Sequence, residues 1–356
     1  MNKKADIAVI DLFCGIGGLS HGFVLEDFNV VSGYDNDESC RYAFEKNNDA
    51  KFHNVDIVEL TGKQLKKEFG SSFKILVGCA PCQPFSSYSF RVKEKEPKKV
   101  NMLYSFARLV EETNPDIVSM ENVPQLMNFD KSSVFQDFYD KLRSLGYEIS
   151  YEVVYCPDYG IPQKRKRLVL LASKLGKIKL VAKTHTPKDY VTVREAISDL
   201  PKIRAGETDT KDLLHRARNL SDLNLKRLKH TKEGGGWKDW PKELILKCFL
   251  KKSGRTYGSV YGRMKWNAPA PTMTTHCTGI GNGRFGHPEQ NRAISLREAA
   301  RFQTFPDNYI FFKSVEEYRP SVICRQIGNA VPPKLGQIIA RSIKEHLNEY
   351  ELWQNQ

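Results

Sequence analysis

The stretch Gly78-Cys79-Ala80-Pro81-Cys82-Gln83-Pro84-Phe85-Ser86 sets Cys82 between two prolines. Proline fixes φ and removes a donor, so a thiol here rides on stiff, irregular backbone. A thiolate is a strong nucleophile toward an electron-poor carbon, whereas an isolated cysteine is ordinarily a buried core thiol. Cys79 and Cys82 also have the spacing of a zinc or redox pair. No second ligand pair of fitting spacing accompanies them, and the prolines oppose the helix that a redox motif opens. Glu121-Asn122-Val123 offers a carboxyl able to hold a proton beside a reacting group, with a helix cap as the plain alternative. Gln163-Lys164-Arg165-Lys166-Arg167 offers guanidinium groups to a phosphate or a carbonyl oxygen, or else forms a solvated basic face.

A second group of residues suits a small ligand. Asp11-Leu12-Phe13-Cys14-Gly15-Ile16-Gly17-Gly18 leads from an apolar run into a helical pattern. Gly15 and Gly17 let the backbone turn tightly and approach a ligand, and Phe13 can turn its ring toward a cationic sulfonium. The pattern is not G-x-G-x-x-G, which opposes a dinucleotide. Asp35 can accept from both hydroxyls of a ribose, and Asp56 from an adenine amino group. Each carboxylate alone is ordinarily a cap or a surface charge; together at successive strand ends they suggest an adenosine-containing cofactor.

The elements that must position these residues follow from periodicity. Strands are expected at Ile7 to Asp11, Val30 to Tyr34, Ile75 to Gly78, Ile117 to Met120 and Leu168 to Ala172, with a shorter extended run at Phe52 to Val55. Helical patterns cover Gly18 to Leu25, Glu38 to Lys46, Met102 to Glu112 and Val134 to Leu145. This alternation predicts an α/β fold with a mostly parallel sheet and helices on both faces. Ligands of such sheets sit beyond the carboxyl ends of the strands, where the glycine turn and the Asp35, Cys82 and Glu121 candidates fall, whereas Gln163 to Arg167 precede the start of the last strand. After Ser173 the sequence turns polar, basic and irregular up to about Asn291, which predicts a smaller domain of loops and short strands. Ser295-Leu296-Arg297-Glu298 is a capping box, and Pro332-Pro333 precedes a long helical pattern over Leu335 to Leu347.

Composition bounds the rest. The 356 residues carry a net charge of +13, which suits a polyanionic partner, although a lysine-rich surface gives the same number. The eight cysteines are scattered and read as reduced thiols. No apolar run reaches the length of a membrane span, and Met1 to Asp6 is not a signal peptide, so a cytoplasmic protein is expected.

Asp11 to Gly18, Pro81-Cys82-Gln83, Glu121-Asn122-Val123, Gln163 to Arg167, Arg297 to Asp307 and Gly328-Asn329-Ala330-Val331 together resemble the ordered motif set of the cytosine-5 DNA methyltransferases. The resemblance spans nearly the whole chain. It implies a Rossmann-like S-adenosylmethionine-dependent domain over residues 1–184 and 325–356. A target-recognition domain with its hinge would occupy 185–324. It implies that Cys82 attacks carbon-6 of a flipped cytosine, that Glu121 holds a proton at ring nitrogen 3, that Arg167 approaches the base carbonyl, and that Arg165 braces the site or a phosphate. Cofactor contacts are expected from Phe13, Gly15, Gly17, Asp35, Asn36, Asp56, Ile57, Pro81, Asn329 and Val331. The ribose carboxylate is often Glu in the family and is Asp35 here; the next position often carries a large side chain and is Asn36 here.

Residues 86–99 should form a loop closing over the base, with Ser86 and Arg91 on the DNA. Arg255, Tyr261, Arg263, Thr272, Thr274, His276 and Arg284 are candidates for base edges, with phosphate contact or loop packing as the alternative for each. The expected enzyme is a monomer acting on double-stranded DNA, a bacterial modification enzyme with a restriction endonuclease of the same site as partner. A tRNA methyltransferase on the same fold, or an inactive DNA-binding protein, would be the alternatives. The long basic recognition region argues against the first, and the intact Cys82, Glu121 and Arg167 against the second.

Overall fold

The computed structural model describes residues 6–81, 102–128, 134–252 and 254–351. Cys82, Ser86 and Arg91 lie outside the described residues, as does the side chain of Arg255.

Seven strands form one sheet: β1 (Ile7–Leu12), β2 (Asn29–Asp35), β3 (Lys51–Asn54), β4 (Phe73–Gly78), β5 (Ile117–Asn122), β6 (Glu148–Tyr155) and β7 (Lys166–Ser173). Their order is β3-β2-β1-β4-β5-β7-β6. β1 to β5 pair in parallel, while β7 runs antiparallel to both β5 and β6. The mostly parallel α/β fold read from the sequence is therefore present, with an antiparallel edge.

Helices cover both faces. α1 (Gly18–Val24), α2 (Arg41–Asn48), α3 (Gly62–Phe69), α4 (Met102–Thr113) and α5 (Val134–Ser144) follow the first five strands in turn. Successive residues of β1 point to opposite faces. Ile7 and Val9 join one apolar cluster with Leu19 and Phe23 of α1. Ala8, Ile10 and Leu12 join another with Leu65 of α3 and Phe106 of α4.

The chain then runs through α6 (Val193–Ile197), α7 (Asp222–His230) and α8 (Lys247–Leu250) before α9 (Leu296–Phe302), α10 (Pro320–Asn329) and α11 (Pro333–Glu349). The short strands expected between Ser173 and Asn291 are reduced, among the described residues, to isolated bridges such as Thr208 with Arg216 and Arg263 with Gly286. Val193, Met264, Met273 and Phe285 belong to the same apolar cluster as β1 and α1. Trp237, Trp240 and Phe249 form a separate small cluster.

The carboxyl-terminal segment returns to the amino-terminal one through close backbone contact. A Cβ on Gly22 of α1 would stand 2.2 Å from the amide nitrogen of Gln337 in α11, and one on Gly18 would stand 2.2 Å from the carbonyl oxygen of Val331. Tyr309 donates its hydroxyl to the carbonyl of Ile16, and Gln326 Nε2 donates to the carbonyl of Ser39 at 2.9 Å. No helix among the described residues is long and apolar enough to cross a membrane.

Candidate active site

A cleft of about 2070 Å³ opens across the carboxyl ends of β1, β2, β4 and β5. Its lining includes Phe13, Gly15, Asp35, Asn36, Asp56, Ile57, Pro81, Asn329 and Val331, so these cofactor candidates converge although they are spread over more than 300 residues of sequence. The turn after β1 is strained into the left-handed region, with φ of 60° at Phe13, 51° at Gly15 and 84° at Gly17. A non-glycine residue at positive φ costs free energy and recurs at ligand-binding turns. Gly17 does not face the cleft among its lining residues. It serves the turn instead: a Cβ there would meet Asn48 at 2.3 Å.

Asp35 closes β2 half-buried. Its Oδ2 accepts from the Gly15 amide at 2.9 Å and its Oδ1 from the Asp37 amide at 2.9 Å. Burial raises its carboxyl above the usual range, and these two amides offset only part of that rise. The carboxylate is thus aimed and held at the mouth of the turn. Asp56 accepts from the Val58 amide at 3.0 Å, and the Ile57 side chain beside it is buried. Asp11 lies deeper, with no exposed surface. Burial pushes it up to about 7, opposed by the Ser20 hydroxyl that donates to Oδ2 at 2.6 Å. Its Oδ1 has no hydrogen-bond partner.

The reacting rim is built by β4, β5 and β7. Glu121, 2% exposed, is the next-to-last residue of β5. Its Oε2 accepts from the Cys79 thiol at 2.8 Å. Arg167 Nε lies 2.8 Å from Oε1, an ion pair by distance in which N–H is not aligned for a hydrogen bond. Asn122 Nδ2 donates to the Ala80 carbonyl at 3.1 Å, tying the rim to the backbone just before Pro81 and Cys82.

Arg165 is buried at 2% exposure and donates to the carbonyls of Met273 and Ala330, each at 3.3 Å. Its Nε has no hydrogen-bond partner. Burial, reinforced by the charge of Arg167, lowers its guanidinium to about 9. Arg165 therefore braces the segment carrying Val331 against the segment carrying Thr272 and Thr274.

Sequence reasoning missed the residues that lock this frame. Gln163 Nε2 donates to Gln303 Oε1 at 2.7 Å and to the Phe302 carbonyl at 3.1 Å, while its Oε1 accepts from the Met273 amide at 2.7 Å. Gln303 Nε2 donates on to the Ala330 carbonyl at 3.1 Å. Both glutamines lie inside motifs that carry the family resemblance, which is the signal that could have found them. The sequence marks Cys79 only as half of a metal or redox pair.

The DNA-facing candidates divide. Tyr261, Thr272, Thr274 and His276 line the cleft. Thr272 donates to the Lys164 carbonyl at 2.8 Å, and the Tyr261 ring packs against Trp240. Arg263 is corrected by the structure. It is 4% exposed, and its guanidinium donates to the carbonyls of Thr231, Leu228, His287 and Gln290, so it fastens loops and offers nothing to a base edge. Arg284, half-buried, donates to the carbonyls of Gly234, Gly235, Arg263 and Gly258, the loop-packing alternative for this residue.

An open α/β sheet carries a carboxylate-held turn at one end of its cleft and a glutamate held by arginine and thiol at the other, an arrangement suited to an enzyme. The chain belongs to the C-5 cytosine-specific DNA methylase family, whose model matches residues 7–345. It is 53% identical over 341 residues to the Type II methylase M.HgiDII of Herpetosiphon aurantiacus, covering 96% of each chain. It is 30% identical over 350 residues to the Type II methyltransferase M1.HphI of Haemophilus parahaemolyticus, covering 96% of this chain and 88% of the other. Among solved structures, a candidate DNA modification methyltransferase encoded within an E. coli prophage shares the fold with a TM-score of 0.73 at 24% identity, over 96% of this chain and 99% of that one. The enzyme is a C-5 cytosine-specific DNA methyltransferase, a family whose reaction requires a methyl-donor cofactor.

Proposed function

We propose that this enzyme flips a cytosine out of duplex DNA into the cleft, forms a covalent bond from Cys82 to carbon-6, and methylates carbon-5. The observation that carries the reading is Glu121, buried on the rim between Arg167 and Cys79, beside the backbone that leads through Pro81 to Cys82. The cofactor is S-adenosylmethionine, which supplies the transferable methyl on a sulfonium when bound. Asp35, aimed by the Gly15 and Asp37 amides, suits its ribose hydroxyls. Phe13, Asp56, Ile57 and Val331 line the same end of the cleft and suit the rest of the molecule.

In this mechanism the Cys82 thiolate adds to carbon-6. Glu121 delivers a proton to ring nitrogen 3, so negative charge does not build up on the ring. Arg167 stabilises the carboxylate left behind and stands close to where the base carbonyl would lie. After carbon-5 takes the methyl group, leaving the donor as a neutral thioether, a water removes the carbon-5 proton, the carbon-6 to sulfur bond breaks to return Cys82 as thiolate, and the ring nitrogen 3 proton goes back to Glu121. Residues 185–324 read the DNA sequence, against a catalytic part of 1–184 and 325–356. A restriction endonuclease cutting the same sequence is the expected partner.

The test is a duplex containing 5-fluorocytosine, incubated with S-adenosylmethionine. Fluorine at carbon-5 blocks proton removal, so the parent enzyme should become trapped on the DNA and Cys82→Ser should not. No adduct in a pool of random duplexes would refute the covalent step. Glu121→Gln should slow methylation far more than it weakens DNA binding. Bisulfite sequencing of a plasmid from expressing cells gives the target sequence.

A further inference from the structure

Glu121 needs more than burial to act. Its carboxyl has to face the cytosine ring and must still be able to give up and regain a proton. Arg167 fixes one oxygen by charge, with Nε 2.8 Å from Oε1. The other oxygen, Oε2, is met by the thiol of Cys79 at 2.8 Å. Cys79 follows β4 directly, and its own amide donates to the Leu12 carbonyl at 3.2 Å, so its position is fixed from the centre of the sheet. A carboxyl held at only one oxygen can rotate about its last torsion, which is a broad, soft one for glutamate. Held at both, it has one orientation.

The choice of donor matters chemically. A second arginine or a lysine at this position would favour the charged carboxylate strongly and oppose proton delivery. A thiol is a weak, neutral donor. It aims the carboxyl while leaving its charge free to change.

We propose that Cys79 is a positioning residue for the methyl-transfer reaction, orienting the Glu121 carboxyl by donating its thiol hydrogen to Oε2. This rests on the proposed role of Glu121 as the group that protonates the base. The family resemblance and the C-x-x-C spacing did not assign it.

The experiment measures single-turnover methyl transfer, with enzyme in excess over sites on an unmethylated plasmid and saturating S-adenosylmethionine, alongside DNA affinity. Cys79→Ala should lower the single-turnover rate roughly three- to tenfold, the effect of one neutral hydrogen bond. DNA affinity should change by less than about twofold, because Cys79 acts only through Glu121. Cys79→Ser retains a donor and should recover most of the rate. Thermal unfolding checks each fold, and Cys79→Gly, which also deletes the donor, substitutes for an unstable alanine variant. Equal losses in the serine and alanine variants would overturn the proposal, since a packing role does not distinguish a donor from its absence. So would a full rate in Cys79→Ala while Glu121→Gln is slow. A full rate in Glu121→Gln would instead overturn the reading of Glu121 itself, and this proposal with it.

Discussion

Glu298→Gln removes one charge from the most enclosed ion pair among the described residues. Arg292 and Glu298 each have no exposed surface. Arg292 Nη1 and Nη2 donate to the two oxygens of Glu298, both at 2.7 Å, and the Ser295 amide adds a third bond at 2.7 Å. Burial alone would raise this carboxyl, but the hydrogen bonds and charge of Arg292 outweigh it and hold Glu298 at about 2, against an ordinary 4.5. Each tenfold change in acidity is worth about 1.4 kcal/mol, so the difference corresponds to about 3 kcal/mol of stability at neutral pH. Stranding one partner of a buried pair independently costs ~3–5 kcal/mol.

The folded carboxyl is the more acidic one. Its contribution is therefore complete above about 4.5 and disappears as the pH falls through about 2. Nearby His287, which burial lowers to about 4, is neutral at pH 7 in both proteins. Urea unfolding should place Glu298→Gln about 3 kcal/mol below the parent at pH 7. The gap should shrink by roughly half at pH 3, as Glu298 of the unfolded parent becomes protonated. A gap under about 1 kcal/mol at pH 7, or one that does not narrow with acid, would refute the reasoning.

Other buried groups and close contacts give further expectations. Burial raises Asp11 to about 7 from 3.8, so its proton stabilises the fold at low pH and that stability is lost as the pH rises through about 7. Asp11→Asn, which cannot ionise, should melt higher than the parent at pH 8 and show no such gain at pH 4; equal melting at pH 8 would contradict this. Gly18→Ala drives a Cβ against the Val331 carbonyl, 2.2 Å away, and should weaken S-adenosylmethionine binding in calorimetry by roughly tenfold, with ~1–3 kcal/mol lost from stability. An unchanged dissociation constant would separate Val331 from the cofactor site. Arg263→Lys leaves carbonyls of Leu228, Thr231, His287 and Gln290 short of donors, so it should lower the melting temperature while leaving the methylated sequence unchanged in bisulfite reads. A shifted target sequence would restore Arg263 to the DNA surface.

Much of the fold was legible because buried parallel strands read as short β-branched runs. All five expected strands are present, and the Phe52 to Val55 run corresponds to β3. β6 escapes a sequence reading because Glu148–Tyr155 lies at the sheet edge, half-exposed, and carries no continuous apolar run. α3 escaped it too, although Thr61 and Gln64 form a capping box that the sequence displays. The antiparallel direction of β7 could not be read from Leu168 to Ala172, since a strand buried on both faces has the same apolar composition either way.

The sequence by itself determined which chemistry is possible: a proline-framed thiol, a carboxyl, an arginine pair and a glycine turn, in an order that matches one family. Those features are local, and local chain chemistry is what a sequence records directly. Only the tertiary structure decided which polar groups are spoken for. Arg263 and Arg165 read alike as cations in the chain. In the fold one is absorbed by loop carbonyls, while the other stands between two segments of the cleft with an unpartnered nitrogen. Cys79 drew notice for its spacing to Cys82, yet its thiol meets a carboxyl 42 residues further along, a contact set by the pairing of β4 with β5. A side chain's role depends on the partners that burial leaves within reach, and those partners come from distant parts of the chain.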